Sequence, residues 1–271
     1  MARLTKELTG PFFDLLVRDA RKAAREYGVH SLLTDATANP KVAKNGKIAG
    51  VLTAPMHLSP ARLSGYQVCP MATAGCVEAC LHTAGNPAYM KGKFNACNNR
   101  TRFYFGNRPA FMVLLAHEIK QHRAAAKRAR MLCGVRLNAT SDIPWESVSF
   151  TVQGKRLTLP DAFPDVQFYD YTKRANRTNL PPNYSLTFSL AENNDADATA
   201  VLNRGGNVAV VFDVKRGKPL PLAYKFNGLM WPVLDGDLHD YRPIDKPGYI
   251  VGLRAKGKAI GDKSGFVRKV A

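Results

Sequence analysis

Cys69, Cys76 and Cys80 stand in the stretch SGYQVCPMATAGCVEACLHTAG, with the spacing C-x6-C-x3-C, and Cys97 follows after sixteen residues. Thiols gathered this closely, in a chain that shows no export signal, point to metal ligation rather than to disulfides. The intervening residues are small or turn-forming: Pro70, Ala72, Thr73, Ala74 and Gly75. Such residues let the backbone wrap closely around an ion or a cluster. A helical turn starting at Cys76 would place Cys76 and Cys80 on one face, with its N-terminus favouring the negative charge of a thiolate-bound group.

Zinc is one candidate, but structural zinc sites favour paired C-x2-C-type knuckles, and only one short gap is present here. Iron–sulfur clusters accept more varied spacings and prefer thiolates throughout, so a [4Fe–4S] cluster is the leading expectation, ahead of zinc and of unligated thiols. Cys133, in the apolar run MLCGVRL, reads as a small core residue. Cys97 fits either ligation or the core. With three protein thiolates one iron stays open, for His82 or for a small molecule.

The chain has 271 residues, with 39 Lys and Arg against 21 Asp and Glu, a net charge of +18. This length supports a sizeable core, expected as one domain: an N-terminal helix and first strand (1–60), a cysteine-rich loop (61–108), and a barrel body with a basic tail (109–271). No run of eighteen apolar residues suggests a membrane span, and the N-terminus has no signal-peptide core, so a cytoplasmic protein is expected. A field this basic attracts polyanions, nucleic acid above all, or a phosphorylated ligand.

Apolar spacing predicts helices over 11–27, with Phe12, Leu15, Leu16, Ala20, Ala23 and Ala24 inward, and over 109–130. Turn signals at Asn45-Gly46 predict a break before a strand at 47–53. From residue 131 the texture is strand-rich: MLCGVRLNA, VQFYDYT, YSLTFSL, NVAVVFDV and GYIVGLR, with WPVLDG weaker and a helix at 195–204. Short apolar runs alternating with connections predict parallel strands buried on both faces, in a partial (β/α) barrel.

In such folds ligands sit at the C-terminal ends of the strands. That singles out Asn138, Asp142, Asp170 and Lys173 as substrate-binding candidates; helix capping is the other reading of the polar strand-end residues. Arg100 and Arg102 lie beside Phe103, Tyr104 and Phe105, a combination that either stacks bases or covers the cysteine loop from below. Arg254, Lys256 and Lys258 lie in a Gly- and Lys-rich tail suited to phosphate. The tail has no G-x4-G-K-[ST] loop, DGDLHD lacks the ligand series of a calcium loop, and no H-E-x-x-H is present.

The chain resembles a group of phage-encoded proteins of uncharacterised role. The resemblance is carried by LSGYQVCPMATAGCVEACLHTAG, Arg100-Thr101 with its aromatics, LNATSDIPW, FYDYTK, DGDLHDYR and VGLRAKGKA, over about residues 63–258. That group in turn resembles radical S-adenosylmethionine (SAM) proteins, which join a three-cysteine loop to a (β/α) barrel. The resemblance implies a radical-SAM-like barrel with a [4Fe–4S] cluster on Cys69, Cys76 and Cys80, and SAM as a further ligand. It does not demand a cysteine at Cys97. Those enzymes carry C-x3-C-x2-C where this chain has C-x6-C-x3-C, and GVRLNATSD is the one candidate for their glycine-rich SAM-binding segment. Two functions follow: an iron–sulfur protein acting on nucleotide or nucleic acid, or a non-enzymatic nucleic-acid binder with a structural cluster or zinc.

Overall fold

The computed structural model describes residues 5–36, 40–80 and 91–270. Its frame is a sheet in which β1 (Val51–Pro55), β2 (Leu132–Arg136), β5 (Gln167–Thr172), β6 (Tyr184–Ser189), β7 (Val208–Phe212) and β10 (Ile250–Arg254) pair in that order. Every pairing along this path is parallel. β9 (Leu229–Asp235) adds to β10 in parallel, and β8 (Ala223–Phe226) pairs antiparallel with β9 at the edge. The two-residue β11 (Val267–Arg268) joins the end of β7. Parallel neighbours need long crossovers, and the connections supply them. α3 (Ala74–Glu78), α4 (Lys91–Gly106) and α5 (Arg108–Arg128) lie between β1 and β2, and α7 (Asp195–Asn203) between β6 and β7. The β2–β5 connection holds a hairpin, β3 (Ser149–Val152) with β4 (Lys155–Thr158), and the short α6 (Leu159–Ala162). The expected strands therefore form, as a large and mostly parallel sheet in a mixed α/β fold. Its hydrogen-bonded path is open, with β1 and β8 at its two ends.

α5 is the longest helix described. Pro109 sits in its first turn, where no amide partner is lost, Asn107 caps it by accepting from the Ala110 amide, and Lys127 and Arg128 face its negative end. Its buried side, Phe111 to Ala116 with Ile119, joins the main core. α1 (Pro11–Glu26) packs on it, but with its stripe turned from the expected one. Phe13, Val17, Ala20 and Ala24 are buried, whereas Phe12 and Leu15 are exposed. No helix among the described residues is long and apolar enough to cross a membrane.

One local expectation fails. Asn45-Gly46 is not a turn; it lies inside α2 (Pro40–Ala49), and the strand begins later, at Val51, after Gly50 with φ 64°. Asn45 is fully buried, its amide donating to Thr53 Oγ1 (3.1 Å) and Tyr169 Oη (3.2 Å) while its oxygen accepts from the Asp240 amide (2.8 Å). These long-range bonds override a weak local turn preference. They also bring the segment after β9 back to the β1 side of the sheet. There Tyr241 packs with Val51 and Tyr169, and the Asp240 carboxylate meets the Arg136 guanidinium at 2.7 Å.

Candidate ligand cavity and cysteine loop

The strands converge on a cavity of about 190 Å³ at their C-terminal ends. Arg136 at the end of β2, Asn138 to Asp142 after it, Tyr171 to Lys173 at the end of β5, Ser189 of β6 and Arg254 of β10 belong to its wall. Cys69, Cys76 and Cys80 line the same cavity. The cysteine loop and the strand-end set, separate signals in the sequence, thus face one space.

The loop is held there by specific bonds. The Asp142 amide donates to the Val68 carbonyl (2.8 Å), and the Ala61 amide donates to Cys69 Sγ (3.5 Å). α3 begins at Ala74, with Thr73 as its N-cap accepting from the Cys76 amide. Glu192, beyond β6, clamps this turn: Oε2 accepts from Thr73 Oγ1 (2.6 Å) and Oε1 from the Gly75 amide (2.8 Å). Gly75 is required by closeness, since a Cβ there would collide with the Ser264 side chain and press on Glu192. Burial pushes the Cys69 thiol up to about 12, and the nearby Cys80 and Cys76 add to the shift. Nonetheless, among the described residues no three His, Cys, Asp or Glu side chains form a group that could hold a single metal ion. His82 lies outside the described residues. Cys97 sits buried on α4 beside Arg100 and does not line the cavity, and Cys133 belongs to the core.

The four expected substrate contacts divide. Asn138 is 2% exposed and saturated. Its oxygen accepts from Ser141 Oγ (2.7 Å), the Ile143 amide (3.0 Å) and Trp145 Nε1 (3.0 Å), and its amide donates to the Ile143 carbonyl (2.8 Å). Asp170 is not part of the lining; it lies beneath, accepting from the Asn138 amide (2.6 Å) and Tyr184 Oη (2.6 Å). Burial raises it to about 7 against those bonds. Asp142 lines the cavity, but its oxygens accept from Thr172 Oγ1 (2.8 Å), the Lys173 amide (3.0 Å) and Arg177 (3.3 Å). Lys173 lines the cavity, and among the described residues its ammonium donates to Ser189 Oγ (2.9 Å) and the Ser189 carbonyl (3.4 Å).

Of the residues expected to meet nucleic acid, Arg254 and Lys256 line the cavity, and Arg100, Arg102 and Lys258 do not. Arg100 donates to the Ser31 carbonyl (2.7 Å) and is partly desolvated by burial. Arg102 is exposed, but the neighbouring Phe103 and Tyr104 are core residues packed against Phe111. Arg254 is held by both oxygens of Asp235 (2.9 Å each) and by Asp237 (3.1 Å), and Lys256 by Asp237 (2.6 Å). The acidic DGD segment, which resembles a cation loop in sequence, is the counter-charge of the tail. Arg254 and Lys256 belong to the cavity wall, and Lys258 is exposed outside it. Arg136 and Tyr171 of this wall carry no signal of their own in the sequence, since each reads as an ordinary position within its strand.

His57, just beyond β1, has its pKa lowered to about 4 by burial, with Arg136, Arg100 and Lys93 adding to the fall and Asp240 opposing it. The folded value lies below the unfolded one of 6.5. Between the two the unfolded chain binds more protons, so stability rises with pH from about 4 to 6.5 and is lost on acidification through that window. His57→Gln is expected to shrink the stability difference between pH 4.5 and pH 7 by about 2–3 kcal/mol, measured by urea unfolding at the two pH values. An unchanged slope would show that His57 titrates alike in both states.

The fold and the cavity define a mixed α/β protein with a mostly parallel sheet whose strand ends share a site with a cysteine loop. The chain belongs to the Gene product 88 family, whose family model matches residues 31–270. No curated protein and no solved structure matches it.

Proposed function

We propose that this is a phage-encoded iron–sulfur protein in which Cys69, Cys76 and Cys80 hold a [4Fe–4S] cluster at the mouth of a radical-SAM-like partial barrel. The reading rests on one observation above the rest: these three thiols line the same cavity as the C-terminal ends of β2, β5, β6 and β10. Parallel α/β sheets place their ligands there. The chain order of the six central parallel strands, with the loop following the first, is in keeping with such a barrel.

The donor set fits a cluster better than an ion. Tetrahedral zinc, with Zn–S near 2.3 Å, draws its sulfurs to about 3.8 Å from one another. A cubane gives each thiolate its own iron, so its ligands need not close on one centre, and three thiols lining one cavity suit it. When bound, the cluster would supply one-electron chemistry at an iron without a protein ligand, with SAM the first co-ligand to test. The chain's own residues then orient what enters. Glu192 fixes the cysteine turn, Asn138 and Asp142 hold the wall, and Lys173 presents a positive charge to a nucleotide or other anionic substrate.

The alternative, a nucleic-acid binder with a purely structural metal, draws on the +18 charge. It loses support because Arg254 and Lys256 are neutralised by Asp235 and Asp237.

Anaerobic purification followed by iron, sulfide and zinc analysis, and EPR after dithionite with and without SAM, tests the reading. About four irons and four sulfides per chain are expected, lost in Cys76→Ala, with a signal that SAM shifts. Stoichiometric zinc without iron would overturn it, and iron without a SAM response would remove the radical-SAM part.

A further inference from the structure

Four cationic side chains line the cavity, and three have carboxylate partners. Arg136 has Asp240, Arg254 has Asp235 and Asp237, and Lys256 has Asp237. Lys173 is 9% exposed and has no ion pair among the described residues. Its ammonium uses a hydroxyl and a carbonyl, and the Phe266 ring lies at 5.4 Å. Two carboxylates stand close without forming an ion pair with it: Glu192, on which the Lys173 charge acts, accepts from Thr73 and Gly75, and Asp142 accepts from Thr172, Arg177 and the Lys173 backbone. A buried cation without a direct ion pair is expensive, and a cavity that keeps one on its wall suits a ligand that brings the opposite sign into contact.

Two residues of the same lining each carry an unused donor just behind its surface. The Tyr171 hydroxyl and Arg136 Nε are buried with no hydrogen-bond partner among the described residues. The Arg136 guanidinium lies over the Tyr171 ring at 4.7 Å, so the two are side by side. An ammonium, a hydroxyl and a guanidinium N–H, all able to donate, ask for an acceptor-rich and negatively charged group.

We propose that the cavity binds a small oxyanion, a phosphate or a carboxylate, with Lys173 as its counter-ion and Tyr171 Oη and Arg136 Nε as further donors. The proposal deepens the reading above and rests on the same cavity, but on none of its cysteines.

The test is isothermal titration of the full chain, as purified and after anaerobic reconstitution, with inorganic phosphate, 5′-AMP and succinate, and with adenosine as the uncharged control. Saturable binding of at least one anion and none of adenosine is expected. Phosphate or AMP alone assigns the site to phosphate, and succinate alone to carboxylate. Lys173→Met should weaken binding about 30-fold or more, and Lys173→Arg by no more than about threefold, as for a lost or kept charge-assisted bond. Tyr171→Phe should weaken it about fivefold to tenfold. Its ligand-free melting temperature should hold or rise, because the hydroxyl has no partner to lose. That pairing keeps the test decisive should Lys173→Met fold poorly. Wild-type protein that binds no anion, a Lys173→Met that binds as well as wild type, or a Tyr171→Phe that loses stability without losing affinity would each overturn the proposal. Iron analysis on the same samples separates the two claims: anion binding without iron leaves the oxyanion site and removes the cluster, and iron without anion binding does the reverse.

Discussion

Asp240→Asn is expected to destabilise the protein by about 3–5 kcal/mol, the usual cost of stripping the partner from a buried ion. Asp240 is fully buried, and its carboxylate sits 2.7 Å from the guanidinium of Arg136, whose side chain is 11% exposed. The substitution keeps the shape and removes the charge. Arg136 is then left as a cation packed on the Tyr171 ring, facing a partner that no longer carries a charge. The double variant Arg136→Met/Asp240→Leu should recover most of that loss, because an apolar pair of similar volume carries no desolvation penalty. Urea unfolding of both single variants and the double gives the coupling directly. A loss below about 1 kcal/mol in Asp240→Asn would mean that water already reaches the pair.

Asn138→Leu is expected to cost about as much, roughly 3–5 kcal/mol, for a different reason. The carboxamide is the common partner of Ser141 Oγ, the Ile143 amide and carbonyl, and the Trp145 indole N–H. Leucine fills a similar volume but answers none of them. Each orphaned buried group costs about 1–3 kcal/mol, with incomplete additivity because the turn can relax as a unit. Trp145 is fully buried among Tyr104 and Phe111, so its fluorescence should report the lost bond alongside the unfolding midpoint. A residue that served only as a ligand contact would leave stability within about 0.5 kcal/mol. That outcome would return Asn138 to the role its strand-end position first suggested.

Asn138 also shows where the sequence stops being informative. The strand ends after MLCGVR, VQFYDY and YSLTFS are legible because alternating apolar runs and turn residues are local signals, and the structure places β2, β5 and β6 there. Which polar residue at those ends turns into the cavity, and which turns inward to hold the wall, depends on partners far along the chain. Asp170 needs Tyr184, and Asp142 needs Arg177, so neither role can be read from a neighbourhood of five residues. Asn45-Gly46 fails for the same reason, as an Asn in a helix held by Thr53, Tyr169 and Asp240. The tail misleads through charge: Arg254 and Lys256 look free beside their glycines until Asp235 and Asp237, nearly twenty residues earlier, fold across them. By contrast, the cysteine loop is legible as a unit, since its spacing and small residues encode a wrap that is itself local.

The bond between Asn45 and Asp240 spans 195 residues. A ribosome adding about 5–20 residues per second would need roughly 10–40 s to deliver Asp240 after Asn45 has left the tunnel. Through that interval α2 carries the Asn45 oxygen without its donor, and the first strand has no closing segment beside it. The nascent amino-terminal third therefore cannot reach its final state on its own. Its pairing strand β2 and its closing bond to Asp240 are both supplied by chain made later, so α2 and β1 settle only as the sheet beside them is completed.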